Sequence, residues 1–206
     1  MYTEQELISG CKKGDPQAQE ALYKTYASRM RYICQRYART TFETEDIFQD
    51  AFVKILTQIE KFNGNGSLDG WIRRIFINSA IDYYKKNKKL NEQISLNVQE
   101  DFQLASIEED EDFISEIAGK LSEADLLELI TSLPDGYRMV FNLFAIESYS
   151  HIQIADALNI SVGTSKSQLS KARQTLKKNI LEQLAKQKTT VELNLDPGVL
   201  KIVVSA

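Results

Sequence analysis

The chain has 206 residues, 43% hydrophobic and 26% charged, enough for one or two small domains with real cores at roughly 100–200 residues per domain. A natively disordered, collagen-like or disulfide-stapled protein is excluded; the two cysteines, Cys11 and Cys34, both fall in segments that read as helix. The net charge of −4 conceals a division, because residues 97–128 hold eleven acids against one base, Lys120, a local balance of −10 that leaves +6 for the rest.

Two basic pieces flanking an acidic segment suit a polyanionic partner despite the low isoelectric point. The opening stretch, residues 1–15, lacks the basic-then-apolar layout of a signal peptide. Apolar runs fall far short of the roughly 20 residues that cross a bilayer. A cytoplasmic protein without membrane insertion is expected.

Three helical patterns fill the first ninety residues. Ala18, Ala21, Leu22, Tyr26, Met30, Ile33, Cys34 and Tyr37 repeat at helical spacing after Asp15-Pro16, where proline suits a first turn. Ile47, Ala51, Phe52, Ile55, Leu56, Ile59 and Phe62 form the clearest apolar stripe. Beyond the Asn63-Gly64-Asn65-Gly66 breaker a third helix is expected from about Leu68 to Lys89, with Ser67 or Asp69 as its N-cap. On that helix Ile72, Phe76, Ala80 and Tyr83 line one side, while Trp71, Arg74, Asn78, Asp82, Lys85 and Lys89 stack on another. Cations mixed with an aromatic and an amide suit single-stranded nucleic acid. They equally suit a soluble helix end whose Lys85-Lys86 cations favour the macrodipole.

An acid-rich stretch without sustained period follows, roughly Leu90–Glu123, and reads as a linker with one short helix near Phe113–Leu121. Helical pattern returns from Leu126 to Ile180, broken at Leu133-Pro134-Asp135-Gly136 and at Asn159-Ile160-Ser161. Within it, Ser150–Leu158 reads as a short helix buried through Ile152, Ile154, Ala155 and Leu158. A tight turn follows, then a helix capped by Ser161 that keeps Val162, Leu169, Ala172 and Leu176 inward. That is helix-turn-helix grammar. Lys166, Ser167, Ser170, Lys171 and Arg173 are left off the core stripe, a mix suited to base edges and phosphates. From Thr189 the pattern changes again: Val191, Leu193 and Leu195 alternate with polar residues and Asp196-Pro197-Gly198 signals a turn, so a short hairpin over 189–206 is expected.

The residues offer no catalytic constellation. Asn63–Gly66 has no preceding strand and no following Gly-Lys-Ser/Thr, so it is no phosphate loop. His151, the only histidine, lacks a metal-binding or nucleophilic companion and reads as a surface residue. No cofactor, metal or catalytic residue is expected.

The segments Asp46–Phe52, Gly66–Ile72, Asn78–Asp82 and Leu133–Phe141, followed by the helix-turn-helix, resemble the extracytoplasmic-function group of the sigma-seventy family. The resemblance covers about residues 5–90 and 124–180, in order and at the right separation. It implies an all-α protein: a sigma-two-like domain over 1–90, an acidic linker over 91–123, a sigma-four-like domain over 124–188 and an extension over 189–206. It implies a bacterial initiation factor that joins core RNA polymerase, holds the melted minus-ten element and reads the minus-thirty-five duplex. By position, Asp46, Gln49 and Asp50 match the helix that grips the polymerase clamp. The Phe62–Ser67 loop, with Phe62 and Asn63, matches the segment enclosing a flipped base, and Asn78 a base-proximal asparagine. Trp71, Arg74, Lys85 and Lys86 complete the expected minus-ten surface, and Lys166, Ser167, Gln168, Ser170, Lys171 and Arg173 the minus-thirty-five surface.

Three departures accompany the resemblance. Ser165 replaces a usual aliphatic and Gln168 a usual arginine, which is expected to weaken the grip on phosphate; His151 stands where an acid is common; and 189–206 lies beyond the usual end. That extension is a candidate contact for an anti-sigma factor or a DNA-bound recruiting protein. The rival reading is a one-component helix-turn-helix regulator that binds duplex DNA without joining polymerase.

Overall fold

The computed structural model describes residues 2–94 and 122–193, with side chains described over 2–88 and 122–182. Among the described residues every regular element is helical. The Phe113–Leu121 helix, most of the acidic linker and residues 194–206 of the expected hairpin lie outside them.

The N-terminal half comprises α1 (Glu4–Lys12), α2 (Pro16–Tyr37), α3 (Thr41–Gln58), a single 3-10 turn (Ile59–Lys61) and α4 (Leu68–Ile94). The three expected helices are present, and α1 adds a fourth. Thr3 and Glu6 form a capping box at its start, which holds the Glu6 carboxyl below its usual range through hydrogen bonds from Thr3. Gly10 lets α1 close on α2, since a Cβ there would stand 2.4 Å from the Ala18 Cβ. Asp15 caps α2 through Gln17 N with proline at the first turn, and Ser67 rather than Asp69 caps α4, accepting from Gly70 N at 3.1 Å. Helices α2, α3 and α4 pack on one another, and α1 lies along α2.

The C-terminal half comprises α5 (Glu123–Thr131), α6 (Asp135–Phe141), a π turn (Asn142–Ile146), α7 (His151–Leu158) and α8 (Val162–Leu193). Ser122 with Asp125 and Ser150 with Gln153 form capping boxes, and Asn159 ends α7 in the left-handed region at φ 55°. Helix α8 runs on through Leu193, so Thr189–Leu193 continues the helix instead of opening a hairpin. The five residues that alternate there do not overcome propagation from the helix-favouring Leu181–Lys188.

The two halves are not separate bodies. One cluster of buried side chains joins Leu22, Met30, Ile33, Ile72, Phe76 and Ile77 to Met139, Val140, Leu143, Ile154 and Leu158. A smaller cluster, Leu129, Leu133, Ala172, Leu176 and Ile180, ties α5 to α8. Each large apolar side chain contributes roughly 1.5–3 kcal/mol on full burial. The shared layer is therefore a sizeable part of a net stability of about 5–15 kcal/mol.

Candidate nucleic-acid interface

Helix α3 buries Thr44, Ile47, Phe48, Ala51 and Ile55 and leaves Asp46, Gln49 and Asp50 exposed. On the same outer side stand Phe42 and Val53, 74% and 59% exposed. Phe42, Asp46, Gln49 and Val53 follow one another at four- and three-residue steps, so they line one stripe. The result is an acidic and amide centre between two solvent-facing apolar side chains, the composition of a docking face. Lys54 connects this stripe to α4: its ammonium lies 2.8 Å from Asp50 and 3.2 Å from Asp82, and donates to Ser79 Oγ at 3.1 Å. Burial works against the Lys54 charge, yet the hydrogen bonds to Asp50 and Asp82 prevail and hold its pKa above the usual value.

The loop before α4 is built as the breaker sequence requires. Gly64 and Gly66 adopt φ of 79° and 95°, and Asn63 Oδ1 accepts from Asn65 N at 3.1 Å. Phe62, the last residue of the apolar stripe, is buried as that stripe requires. It is 4% exposed, its ring centroid 5.4 Å from that of Trp71, and Lys12 Nζ donates to its carbonyl at 2.8 Å. Its large apolar ring gains more from the core than from solvent, so Phe62 packs against the half-buried Trp71 immediately before the exposed Asn63–Ser67 loop. Along α4, Arg74, Asn78 and Lys86 are exposed and Lys85 is half-buried.

In the helix-turn-helix, Ser161 caps α8 by accepting from Thr164 N at 2.9 Å, as expected. Lys166 is exposed, and Ser167, Gln168 and Lys171 are half-buried. Ser170 and Arg173 are not off the core: each is 7% exposed. Helix α8 is flanked by α5, α6 and α7, so it buries more than the single stripe that periodicity assigns. Gln168 leans on Gly136, whose added Cβ would stand 3.1 Å from its side-chain nitrogen. Conversely Ile152 and Val162, expected inside, are 72% and 38% exposed; both stand in the first turn of their helices.

His151 is half-buried, not a free surface residue. Its Nδ1 lies 2.9 Å from Oγ of the fully buried Ser165, and its ring stacks on Phe144 at 4.6 Å. Burial first, then the Lys166 and Arg173 charges, hold its pKa below the usual histidine value. Two departures from the sigma-seventy pattern are thus one feature: the buried hydroxyl at 165 is satisfied by the imidazole at 151.

Sigma-70 region 2 matches residues 22–90, and Sigma-70 region 4 matches residues 123–176. The chain is 31% identical over 183 residues to the ECF RNA polymerase sigma factor SigW of Bacillus subtilis, covering 84% of this chain and 94% of that protein. It is 26% identical over 181 residues to the ECF RNA polymerase sigma-E factor of Haemophilus influenzae, covering 86% and 95%. The chain belongs to the extracytoplasmic-function sigma factors of the sigma-70 family. Among solved structures it is similar to CnrH in complex with the cytosolic domain of CnrY, at 20% identity and a TM-score of 0.44 over 86% of this chain and 96% of that one. It is also similar to the sigma factor RpoE in complex with the anti-sigma factor NepR from Bartonella quintana, at 18% identity and 0.45 over 77% and 94%.

Sigma factors are regulatory subunits rather than enzymes. Among the described residues no helix is long and apolar enough to cross a membrane, and no group of three or more His, Cys, Asp or Glu could hold a metal ion. Region 2 of this sigma factor maps onto α2–α4 and region 4 onto α5–α8, so the outer stripe of α3 and the exposed cations of α4 belong to one matched region.

One cluster in this sigma factor was not expected from its sequence. Glu147, its side chain 2% exposed, accepts from Arg36 Nη2 at 2.8 Å and from Arg73 Nε at 2.8 Å. Both arginines belong to the other half of the chain. Asn142, fully buried, donates to the Arg36 and Arg138 carbonyls at 2.9 Å, and Arg39 Nε donates to Asp135 at 2.6 Å. A glutamate between two helical segments, in Ala145-Ile146-Glu147-Ser148, reads as a solvated turn residue. Nothing in the sequence pairs it with arginines 74 and 111 positions away.

Proposed function

We propose that this sigma factor docks on core RNA polymerase through the outer stripe of α3, with Asp46, Gln49 and Asp50 as the polar centre and Phe42 and Val53 as apolar anchors. It then directs promoter recognition and transcription initiation in the cytoplasm. The observation that supports the division of labour most strongly is the packing of α3 against α4. One compact unit presents Asp46, Gln49 and Asp50 on one helix and Arg74, Asn78 and Lys86 on the next. The Asn63–Ser67 loop, with the packed Phe62–Trp71 pair at its start, encloses an extruded minus-ten base, Asn78 contacts it, and Arg74, Lys85 and Lys86 follow the phosphates. Opening DNA costs about 1.4 kcal/mol per base-pair step. A subunit without an energy source offsets this only by binding the unpaired strand better than the duplex.

Lys166, Ser167, Gln168 and Lys171 face the minus-thirty-five duplex. Ser170 and Arg173, being buried, hold α8 in its domain instead; Arg173 lies 5.8 Å over the Phe144 ring. An anti-sigma factor or a DNA-bound recruiting protein is a further partner, with residues 189–206 as its candidate contact. The stand-alone regulator is not favoured, because the match takes in region 2 as well as the helix-turn-helix region. Pull-down on immobilised core polymerase tests the docking face. Gln49→Ala with Asp50→Ala is expected to lower core affinity at least tenfold with an unchanged melting temperature, since both residues are exposed. Undiminished affinity would refute the assignment.

A further inference from the structure

Periodicity assigns Val162 to the inside of α8, and the structure leaves it outside. It is the first residue of the helix that carries Lys166 and Lys171, and its side chain is 38% exposed, apolar surface left in water. Lys166, four residues on and therefore on the same side, is exposed as well, and so is Gly163 between them. A Cβ added at Gly163 would meet only Ser161 Oγ, at 3.6 Å, so no side chain stands beside Val162 to hold a partner off.

The hydroxyl groups around this patch are already engaged. Ser161 Oγ accepts from Thr164 N and lies 2.9 Å from Thr164 Oγ1, and Ser167 Oγ donates to the Thr164 carbonyl at 3.0 Å. Ser165 is fully buried with its Oγ 2.9 Å from His151 Nδ1, and Ser170 is 7% exposed. The amide of Gln168 leans on Gly136 of α6. Short polar side chains ordinarily read base edges by hydrogen bonds, and here their hydrogen-bonding capacity is largely spent within the protein. The patch offers two valine methyl groups beside an ammonium instead. The ammonium suits a phosphate, a contact that positions the helix and carries no sequence information. The methyl groups suit the one apolar group in the major groove, the C5-methyl of thymine.

We infer that Val162 is a specificity-determining residue of this sigma factor, which reads the C5-methyl group of one thymine in the minus-thirty-five duplex. The inference deepens the duplex-reading role under Proposed function and rests on it. Contact with the methyl takes apolar surface on both partners out of water, whereas a base without it leaves Val162 wetted or against a polar edge. Being apolar, the contact is insensitive to salt, unlike the phosphate contact of Lys166.

Deoxyuridine lacks only that methyl and keeps every hydrogen-bonding group of thymine, so it isolates the contact. With core polymerase and the full chain, the preferred minus-thirty-five sequence is selected from duplexes randomised over that element. Each thymine of the selected sequence is then replaced singly by deoxyuridine. One replacement should weaken binding of the assembled polymerase about fourfold, as expected for one methyl-sized group no longer buried, and by the same factor at low and high salt. In Val162→Ser protein that replacement should have no effect. Ile152→Ser, at the other exposed apolar side chain of the motif, should keep the fourfold difference. The scan of the natural chain needs no variant, so it decides even if V162S fails to fold. A selected element without an A·T pair, deoxyuridine silent at every position, an undiminished loss in V162S, or a loss abolished by I152S would each overturn the inference. Selection that enriches no sequence at all would instead overturn the duplex-reading role beneath it.

Discussion

Consider replacing Arg36 by Met and Glu147 by Leu, singly and together. Glu147→Leu leaves the Arg36 guanidinium, 8% exposed, without its carboxylate, whereas Arg73, 41% exposed, can turn to water. Breaking a buried pair by removing one partner costs about 3–5 kcal/mol, because an uncompensated charge stays desolvated. Arg36→Met should cost less, about 2–3 kcal/mol, since Arg73 still neutralises the carboxylate. With both replaced, no charge is stranded in the seam between the halves and apolar side chains of similar volume fill it, which is often close to neutral. The single losses together come to about 5–8 kcal/mol, so a nearly neutral double variant should be more stable than their sum by about 5 kcal/mol or more. Urea unfolding followed by far-UV circular dichroism measures all four corners, and the shared core predicts one transition for both halves. The exposed Lys24–Glu20 pair on α2, treated in the same way, should show no coupling that unfolding can resolve. Losses at 36 and 147 that add to within about 0.5 kcal/mol would refute the claim that the seam turns on this pair.

Asn78→Ala should leave core binding unchanged and reduce promoter opening, read as lost permanganate reactivity of minus-ten thymines; normal opening would remove Asn78 from the base-contacting set. Lys166→Glu with Lys171→Glu should lower use of promoters that carry a minus-thirty-five element at least tenfold while sparing thermal stability, and undiminished use would place the duplex-reading surface elsewhere. Burial pushes the Cys34 thiol up to about 12, so at pH 8 on the order of one molecule in 10,000 carries the thiolate. Alkylation of Cys34 in native protein should then track unfolding, accelerating as urea is added, and rapid labelling at pH 8 without denaturant would contradict its burial.

Helix periodicity was the strongest guide to this fold. The stripes through Ala18–Tyr37 and Ile47–Phe62 and the Asp15-Pro16, Ser67 and Ser161 starts are all present, because caps and three-and-four spacing are local properties. Where periodicity failed, a second neighbour was at work. Ser170 and Arg173 lie off the main stripe of α8, yet α5, α6 and α7 together wrap it widely enough to bury them. Ile152 and Val162 satisfy the apolar rule in sequence and still face water, in the first turns of α7 and α8. Phe62 shows a different limit. Its place at the end of a helix and the head of a loop suits a base-binding wall as well as a core plug, and its contact with Trp71 settles its packing.

The exposed stripe Asp46, Gln49 and Asp50 was legible, since polar residues between apolar ones at helical spacing must face outward. The seam was not. Glu147, Arg36, Arg73 and Asn142 are long-range partners whose burial depends on how two modules dock, and no periodicity carries that information. The same holds for His151 and Ser165, two departures from family habit that become intelligible together only when their 2.9 Å contact is seen.

Run-off transcription from a linear promoter fragment, with core polymerase and this chain as the only added factor, tests the central claim most directly. Defined transcript starts that depend on the chain, and that survive on a template with a pre-melted minus-ten region when residues 123–182 are inactivated by charge reversal at Lys166 and Lys171, are the predicted result. Polymerase that starts no differently with the chain than without it, on paired and pre-melted templates alike, would contradict the account.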